Sequence, residues 1–151
     1  MQAQDIMIRQ VHKVKESDTV RAVIKKFIEH RIGGVPVVNE RNEIVGYISD
    51  GDIMQYIGKH EDRIIDAIYF VNVVKMDDVE YEERVRRVLD LNVMALATKK
   101  VITVTWDEDI ENIAAILGKK RIKKIPVERG GVLVGIISRG DVIRHSFKSL
   151  I

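Results

Sequence analysis

Serine, glycine and aspartate recur in one fixed order at two places in the chain, Ser49-Asp50-Gly51-Asp52 and Ser138-Arg139-Gly140-Asp141. Each follows an apolar run, Gly46-Tyr47-Ile48 or Gly135-Ile136-Ile137, so each reads as the turn from a strand into a helix. A serine at a helix N-cap with an acid three residues on satisfies free N–H groups at the helix start, and that capping box alone accounts for both residues. Two features point further. The second helical position is glycine in both copies, where almost any other residue is a better helix former. A helix N-terminus with exposed N–H groups and a hydroxyl also attracts anions, and a carboxylate beside it can accept both hydroxyls of a ribose. Phosphate and ribose together make a nucleotide.

Other chemistries are excluded residue by residue. The serines stand one position too late for a G-x-S-x-G elbow, and neither has a paired His and acid in readable context. No P-loop or G-x-G-x-x-G is present. With no Cys in 151 residues, disulfides, thiolate zinc sites and cysteine nucleophiles drop out. His12, His30, His60 and His145 show no HxxH or HxxxH spacing and no acid cluster of metal type. The chain is therefore expected to be neither an enzyme nor a metal protein. Trp106, just before a helix start, reads as a packing residue, and the run Lys119-Lys120-Arg121 with Lys123-Lys124 as a solvated face at a helix C-terminus. Arg139 and Arg144, beside the second serine box, are candidate phosphate ligands.

The elements that position these residues are themselves duplicated. A shift of 90 places Val14 on Val104, Ile32 on Ile122, Pro36 on Pro126 and Val37 on Val127; a shift of 89 then places Gly46, Ser49, Gly51 and Asp52 on Gly135, Ser138, Gly140 and Asp141. The one-residue slip falls between Asn39–Glu43 and Arg129-Gly130-Gly131, turn-like stretches where length changes are tolerated. In each copy Val11–Val14 or Val101–Val104 predicts a leading strand. Val20, Val23, Ile24, Phe27 and Ile28, or Ile110, Ile113, Ala114 and Leu117, predict a helix, with start signals at Ser17-Asp18 and Asp107-Glu108. A hairpin follows, from Val35–Val38 to Ile44–Ile48 or Ile125–Val127 to Val132–Ile137, and a last helix starts near Asp52 or Asp141. The unit is β-α-β-β-α. Between the copies, Tyr81, Val85, Val88 and Leu89 with the pairs Glu82–Arg86 and Glu83–Arg87 predict an amphipathic helix, while 64–74 fits either strand or helix.

The tandem resembles a pair of CBS domains, the Bateman module. The resemblance is carried by Ile32-Gly33-Gly34-Val35-Pro36-Val37-Val38, Ile122-Lys123-Lys124-Ile125-Pro126-Val127, the two serine boxes and the opening Gln4-Asp5-Ile6-Met7, and covers about residues 4–58 and 92–148. It implies an α/β (α+β) fold in which two β-α-β-β-α repeats pack pseudo-symmetrically. The repeats are expected at 1–58 and 92–151, joined by a segment at 59–91 that is longer than the family's usual connection. The resemblance implies a regulatory, energy-sensing module that binds an adenine nucleotide (AMP, ADP or ATP) in clefts between the repeats and transmits binding as a conformational change. Asp52 and Asp141 would hold ribose hydroxyls, Ser49 and Ser138 face ribose or phosphate, and the backbone at Val35-Pro36 and Ile125-Pro126 lie against adenine. Lys123-Lys124, where the first copy has Gly33-Gly34, departs from symmetry and adds phosphate attraction to one site. S-adenosylmethionine or cyclic di-AMP are alternative ligands, and an assembly module that docks on a partner without a nucleotide is the alternative class.

Composition agrees with a compact regulatory module. A 46% hydrophobic, 32% charged chain is rich enough in apolar residues for a core and too rich for a disordered tail. No apolar run approaches the roughly 18 residues of a bilayer span, and Asp5 stands where a signal peptide would carry a cation, so a cytoplasmic protein is expected. The net charge of +2 gives no general case for nucleic-acid binding, yet it conceals an uneven spread: about neutral over 1–54, −3 over 55–91 and +5 over 92–151. A homodimer is expected, both from the resemblance and because Val85, Val88 and Leu89 need cover. An unidentified effector protein would receive the signal.

Overall fold

The computed structural model describes residues 1–58, 81–120 and 122–151. Within them each repeat builds one three-stranded sheet. The first holds β1 (Val14–Lys15), β2 (Gly34–Val38) and β3 (Ile44–Ser49) in that spatial order; the second holds β4 (Val104–Thr105), β5 (Lys124–Arg129) and β6 (Val132–Ser138). Helices α2 (Val20–His30) and α5 (Ile110–Lys119) cross from the leading strand to the middle one, and α3 (Asp50–Ile57) and α6 (Arg139–Phe147) follow the hairpins. A short α1 (Ala3–Ile6) opens the chain, residues 81–88 form a further helix, α4, and Val93–Ala95 make a 3-10 turn. The possible strand or helix over 64–74 lies outside the described residues.

Burial follows the apolar pattern. Every residue of β2 is buried, whereas β6 alternates, with Leu133, Gly135 and Ile137 inside, as suits a middle and an outer strand. The hairpins run antiparallel with Pro36 opposite Tyr47 and Pro126 opposite Ile136. Their turns solve one problem in two ways. Asn42 takes a left-handed φ of 61° while Asn39 Oδ1 accepts from the N–H groups of Arg41 and Glu43; the shorter second turn uses Gly130 and Gly131 at φ 60° and 85°, where glycine carries no steric cost.

The leading strands are shorter than the expected Val11–Val14 and Val101–Val104, and start where those end. β1 lies parallel to β2 and pairs only with Val37 and Val38, and Glu16 N–H donates to the Val38 carbonyl at 2.9 Å. Pro36, two residues before Val38, faces the same neighbour and has no N–H to give, so the ladder stops. Pro126 does the same between β4 and β5, where Trp106 N–H reaches the Glu128 carbonyl at 2.9 Å.

Helix starts also differ from expectation. The N-caps are Thr19 and Asp109, and neither side chain caps its helix. The first N–H groups go instead to main-chain carbonyls from the opening of the other repeat: Val20 to Leu91 and Ile110 to Met1, both at 2.9 Å. This is one sign of a reciprocal exchange. Residues 2–8 pack on the second repeat, with Ala3 and Ile6 in one core with Ile113, Ile125 and Ile137, and with Ile8 and Ile136 trading two hydrogen bonds of 2.9 and 3.0 Å. Residues 91–98 pack on the first repeat, with Val93 in a core with Val20, Val35 and Ile48, and with Thr98 and Tyr47 trading bonds of 2.8 and 2.9 Å. Val88 joins that first core at 1% exposure, so the cover that α4 needs at this position comes from within the chain. On its solvent side the pairs Arg86–Glu82 and Arg87–Glu83 close at 3.8 and 3.1 Å.

Candidate functional site

Both serine boxes close as drawn from the sequence. Asp52 N–H donates to Ser49 Oγ at 3.3 Å, and Asp52 Oδ2 accepts from Ser49 N–H at 2.9 Å and from the Ser49 hydroxyl at 3.1 Å. In the second copy Asp141 N–H donates to Ser138 Oγ at 3.1 Å and Ser138 N–H to Asp141 Oδ2 at 2.8 Å. The second carboxylate oxygen separates the two. Asp52 Oδ1 takes no hydrogen bond among the described residues, and Asp52 is half-buried. Asp141 Oδ1 accepts from Arg144 Nη2 at 2.6 Å, with the Asp141 side chain only 5% exposed. One box leaves an acceptor for something else; the other is closed by an internal ion pair.

A cavity of about 460 Å³ opens beside the first box, between the repeats. On one side stand Gly33, Gly34, Tyr47, Ser49, Asp50 and Asp52, and on the other Lys100, Val101, Ile102, Ile122, Lys123, Lys124 and Pro126, with Thr98 between. The site exists because of the exchange: the segment that carries Thr98 to Ile102 crosses to β3 before it enters the second sheet. The break in the ladder at Pro126 lies in its wall. Tyr47 and Asp50 fill the space beside the two glycines, since a methyl at Gly34 would collide with the Tyr47 hydroxyl and one at Gly33 would meet Asp50 Oδ2 at 2.6 Å. Burial, with Asp50 and Asp52 adding negative charge, pushes the Tyr47 phenol up to about 12, which keeps it a neutral donor in the site.

Of the residues singled out in the sequence, Ser49, Asp52, Pro126 and the pair Lys123-Lys124 line this cavity. Val35 and Ile125, both 0% exposed, lie in the two cores, and Pro36 is buried in β2. Ser138 and Asp141 line neither this cavity nor a second one of about 350 Å³ between α5 and α6, whose wall includes Arg139. The Arg139 guanidinium is committed to main-chain carbonyls, Ile122 at 2.8 Å and Leu117 at 3.1 Å. Sequence reasoning passed over Tyr47, Asp50, Lys100 and Ile102. Asp50 was readable as the variable place inside a repeated motif; Lys100 and Ile102 carry no local signal, because the fold brings them some fifty residues along the chain to the box they face. Trp106 packs against the second core, and the Arg129 guanidinium lies 4.3 Å over its ring. No group of three His, Asp or Glu suited to a metal ion occurs among the described residues, and no helix among them is long and apolar enough to cross a membrane.

Two interlocked βαββα repeats around a cleft with a capped carboxylate define a paired-repeat module. Residues 3–59 and 93–148 each match the CBS domain, and the chain belongs to the CBS-domain family as a tandem, or Bateman, pair. An uncharacterised protein of Methanocaldococcus jannaschii, MJ1426, is 31% identical over 151 residues, covering 95% of this chain and 89% of that one. The chain spans only 41% to 60% of four other curated relatives. Among solved structures, CBSX2 of Arabidopsis thaliana in complex with AMP superposes with a TM-score of 0.73 at 23% identity, covering 98% and 97% of the two chains. The CBS pair of protein MJ0100, in complex with 5′-methylthioadenosine and S-adenosylmethionine, superposes with a TM-score of 0.68 at 19% identity, covering 99% and 98%.

Proposed function

We propose that the chain is a non-catalytic regulatory module that binds an adenosine-containing ligand in the cleft beside the first serine box. The observation that carries this is Asp52, which lines a cavity walled by both repeats and whose Oδ1 takes no hydrogen bond among the described residues. Asp52 takes the ribose hydroxyls, Ser49 faces ribose or phosphate, and Ile102, Ile122 and Pro126 supply an apolar wall for the base. Fold neighbours crystallised with AMP, 5′-methylthioadenosine and S-adenosylmethionine support the same ligand class. Because the two walls belong to different repeats, a ligand that touches both favours the arrangement in which they are closest, and this shift in population is the signal. The box at Ser138 and Asp141 is the weaker site, since a ribose there must displace Arg144. Val35-Pro36 and Arg139 act there as wall and support. The module works as a homodimer in the cytoplasm, on an effector protein.

Thermal unfolding with AMP, ATP, S-adenosylmethionine, 5′-methylthioadenosine and cyclic di-AMP tests the reading. A ligand at about 100 times its dissociation constant adds about 2.7 kcal/mol, and Asp52→Asn abolishes that shift while Asp141→Asn leaves most of it. If none of the five raises the midpoint, or if Asp52→Asn responds like the parent, the reading is wrong and a ligand-free assembly module takes its place.

A further inference from the structure

The two walls of the cleft carry opposite charge. Asp50 and Asp52 stand on the wall from the first repeat, and Lys100, Lys123 and Lys124 on the wall from the second. None of the three lysines pairs with a carboxylate among the described residues. Their positions leave them screened but not neutralised, Lys100 and Lys123 exposed and Lys124 half-buried. Three lysines on one wall of the cavity, without a carboxylate partner among the described residues, create a local field that attracts polyanions. The repeat shows that this is particular to one wall: Lys123 and Lys124 occupy the places held in the first copy by Gly33 and Gly34, where Asp50 and Tyr47 fill the room.

We infer that this cleft selects adenosine ligands by the number of phosphates they carry, preferring a diphosphate or triphosphate chain over a monophosphate, with Lys100, Lys123 and Lys124 as the specificity-determining residues. The inference rests on the reading above that Asp52 holds a ribose. With the ribose there, a first phosphate lies near Asp50, which opposes it. The second and third phosphates extend away from Asp50, toward the lysine wall, and gain most from it. A sulfonium ligand such as S-adenosylmethionine carries positive charge toward that wall and is disfavoured.

Calorimetric titration of the full chain with adenosine, AMP, ADP, ATP and S-adenosylmethionine, in EDTA so that the phosphates keep their charge, separates the possibilities. The expected order is ATP tighter than ADP, ADP tighter than AMP, with about tenfold between ATP and AMP at about 50 mM salt, contracting to about threefold at about 300 mM as the field is screened. Lys123→Gln with Lys124→Gln brings ATP to within about twofold of AMP and leaves adenosine unchanged, whereas Asp52→Asn weakens all of them. If AMP, adenosine or S-adenosylmethionine binds as tightly as ATP and Asp52→Asn still abolishes binding, the phosphate-counting inference is overturned and the adenosine site stands. If no adenosine compound binds, both fall together.

Discussion

Gly51 has room around it that the described residues do not use. Apart from its chain neighbours and the backbone of its own helix, the nearest atom to a methyl group there would be Ser49 Oγ at 3.5 Å, and the residue does not adopt a positive φ. Gly140 is alike, with 3.6 Å to Arg144 as the nearest approach. Elsewhere glycine is demanded by packing: at Gly135 a methyl would stand 2.5 Å from Met7 Sδ. A glycine that internal packing does not require, at a helix start beside an open carboxylate, reads as clearance for something outside the chain. Gly51→Ala is therefore expected to leave stability unchanged or raise it by up to about 1 kcal/mol, as alanine favours the helix, and to weaken nucleotide binding at least about fivefold; denaturation and titration of one sample check both halves. At this scale the serine, glycine and aspartate were legible in the sequence because they recur at a constant offset. The lock between Arg144 and Asp141 was not. Its counterpart in the first copy is Gln55, and only the packed helix shows the arginine bending back onto its own box at 2.6 Å.

Strands and helices were legible wherever burial has a clear period, and misplaced at their ends, where the partner groups come from elsewhere. The middle and outer strands of both hairpins fall on their β-branched runs. The leading strands were drawn three residues too early, because a Val-rich run promises a strand but cannot show that its neighbour will be a proline facing it. Helix starts were assigned to Ser17-Asp18 and Asp107-Glu108, yet Asp18 accepts instead from Lys15 N–H at 2.8 Å in a turn, and the helices are capped by carbonyls of Leu91 and Met1. Helix α4 shows the same division. Its charged pairs were readable at spacing four, while the destination of its apolar face depended on a core formed by residues far away. Val88→Ala, at 1% exposure among valines of that core, is expected to cost about 2 kcal/mol in urea denaturation, and Val85→Ala, half-buried on the same helix, less than half of that. Equal losses would mean that α4 packs differently.

The whole molecule is tied together at its pseudo-twofold axis more than the repeat alone reveals. The openings of the two copies change places, and the hairpin turns meet, with Leu133 N–H donating to the Asn42 carbonyl at 2.9 Å and Ile44 N–H to the Gly131 carbonyl at 3.1 Å. Duplication in the sequence established two similar units and a shared interface, but not which opening serves which sheet, since the offset between copies is the same either way. A substitution distinguishes the cases. Ile6 is 4% exposed in the second core, so Ile6→Ala is expected to cost about 2–4 kcal/mol and to lower hydrogen-exchange protection first in β5 and β6, far along the chain; protection lost first in β2 and β3 would show the opening packed on its own repeat. The exchange of openings has a last consequence. Each half completes the sheet and caps the helix of the other through equivalent positions, so the halves stand to one another as protomers of a segment-swapped dimer. The covalent connection does for them what high concentration does for separate chains: it makes their association unimolecular and independent of how dilute the protein is.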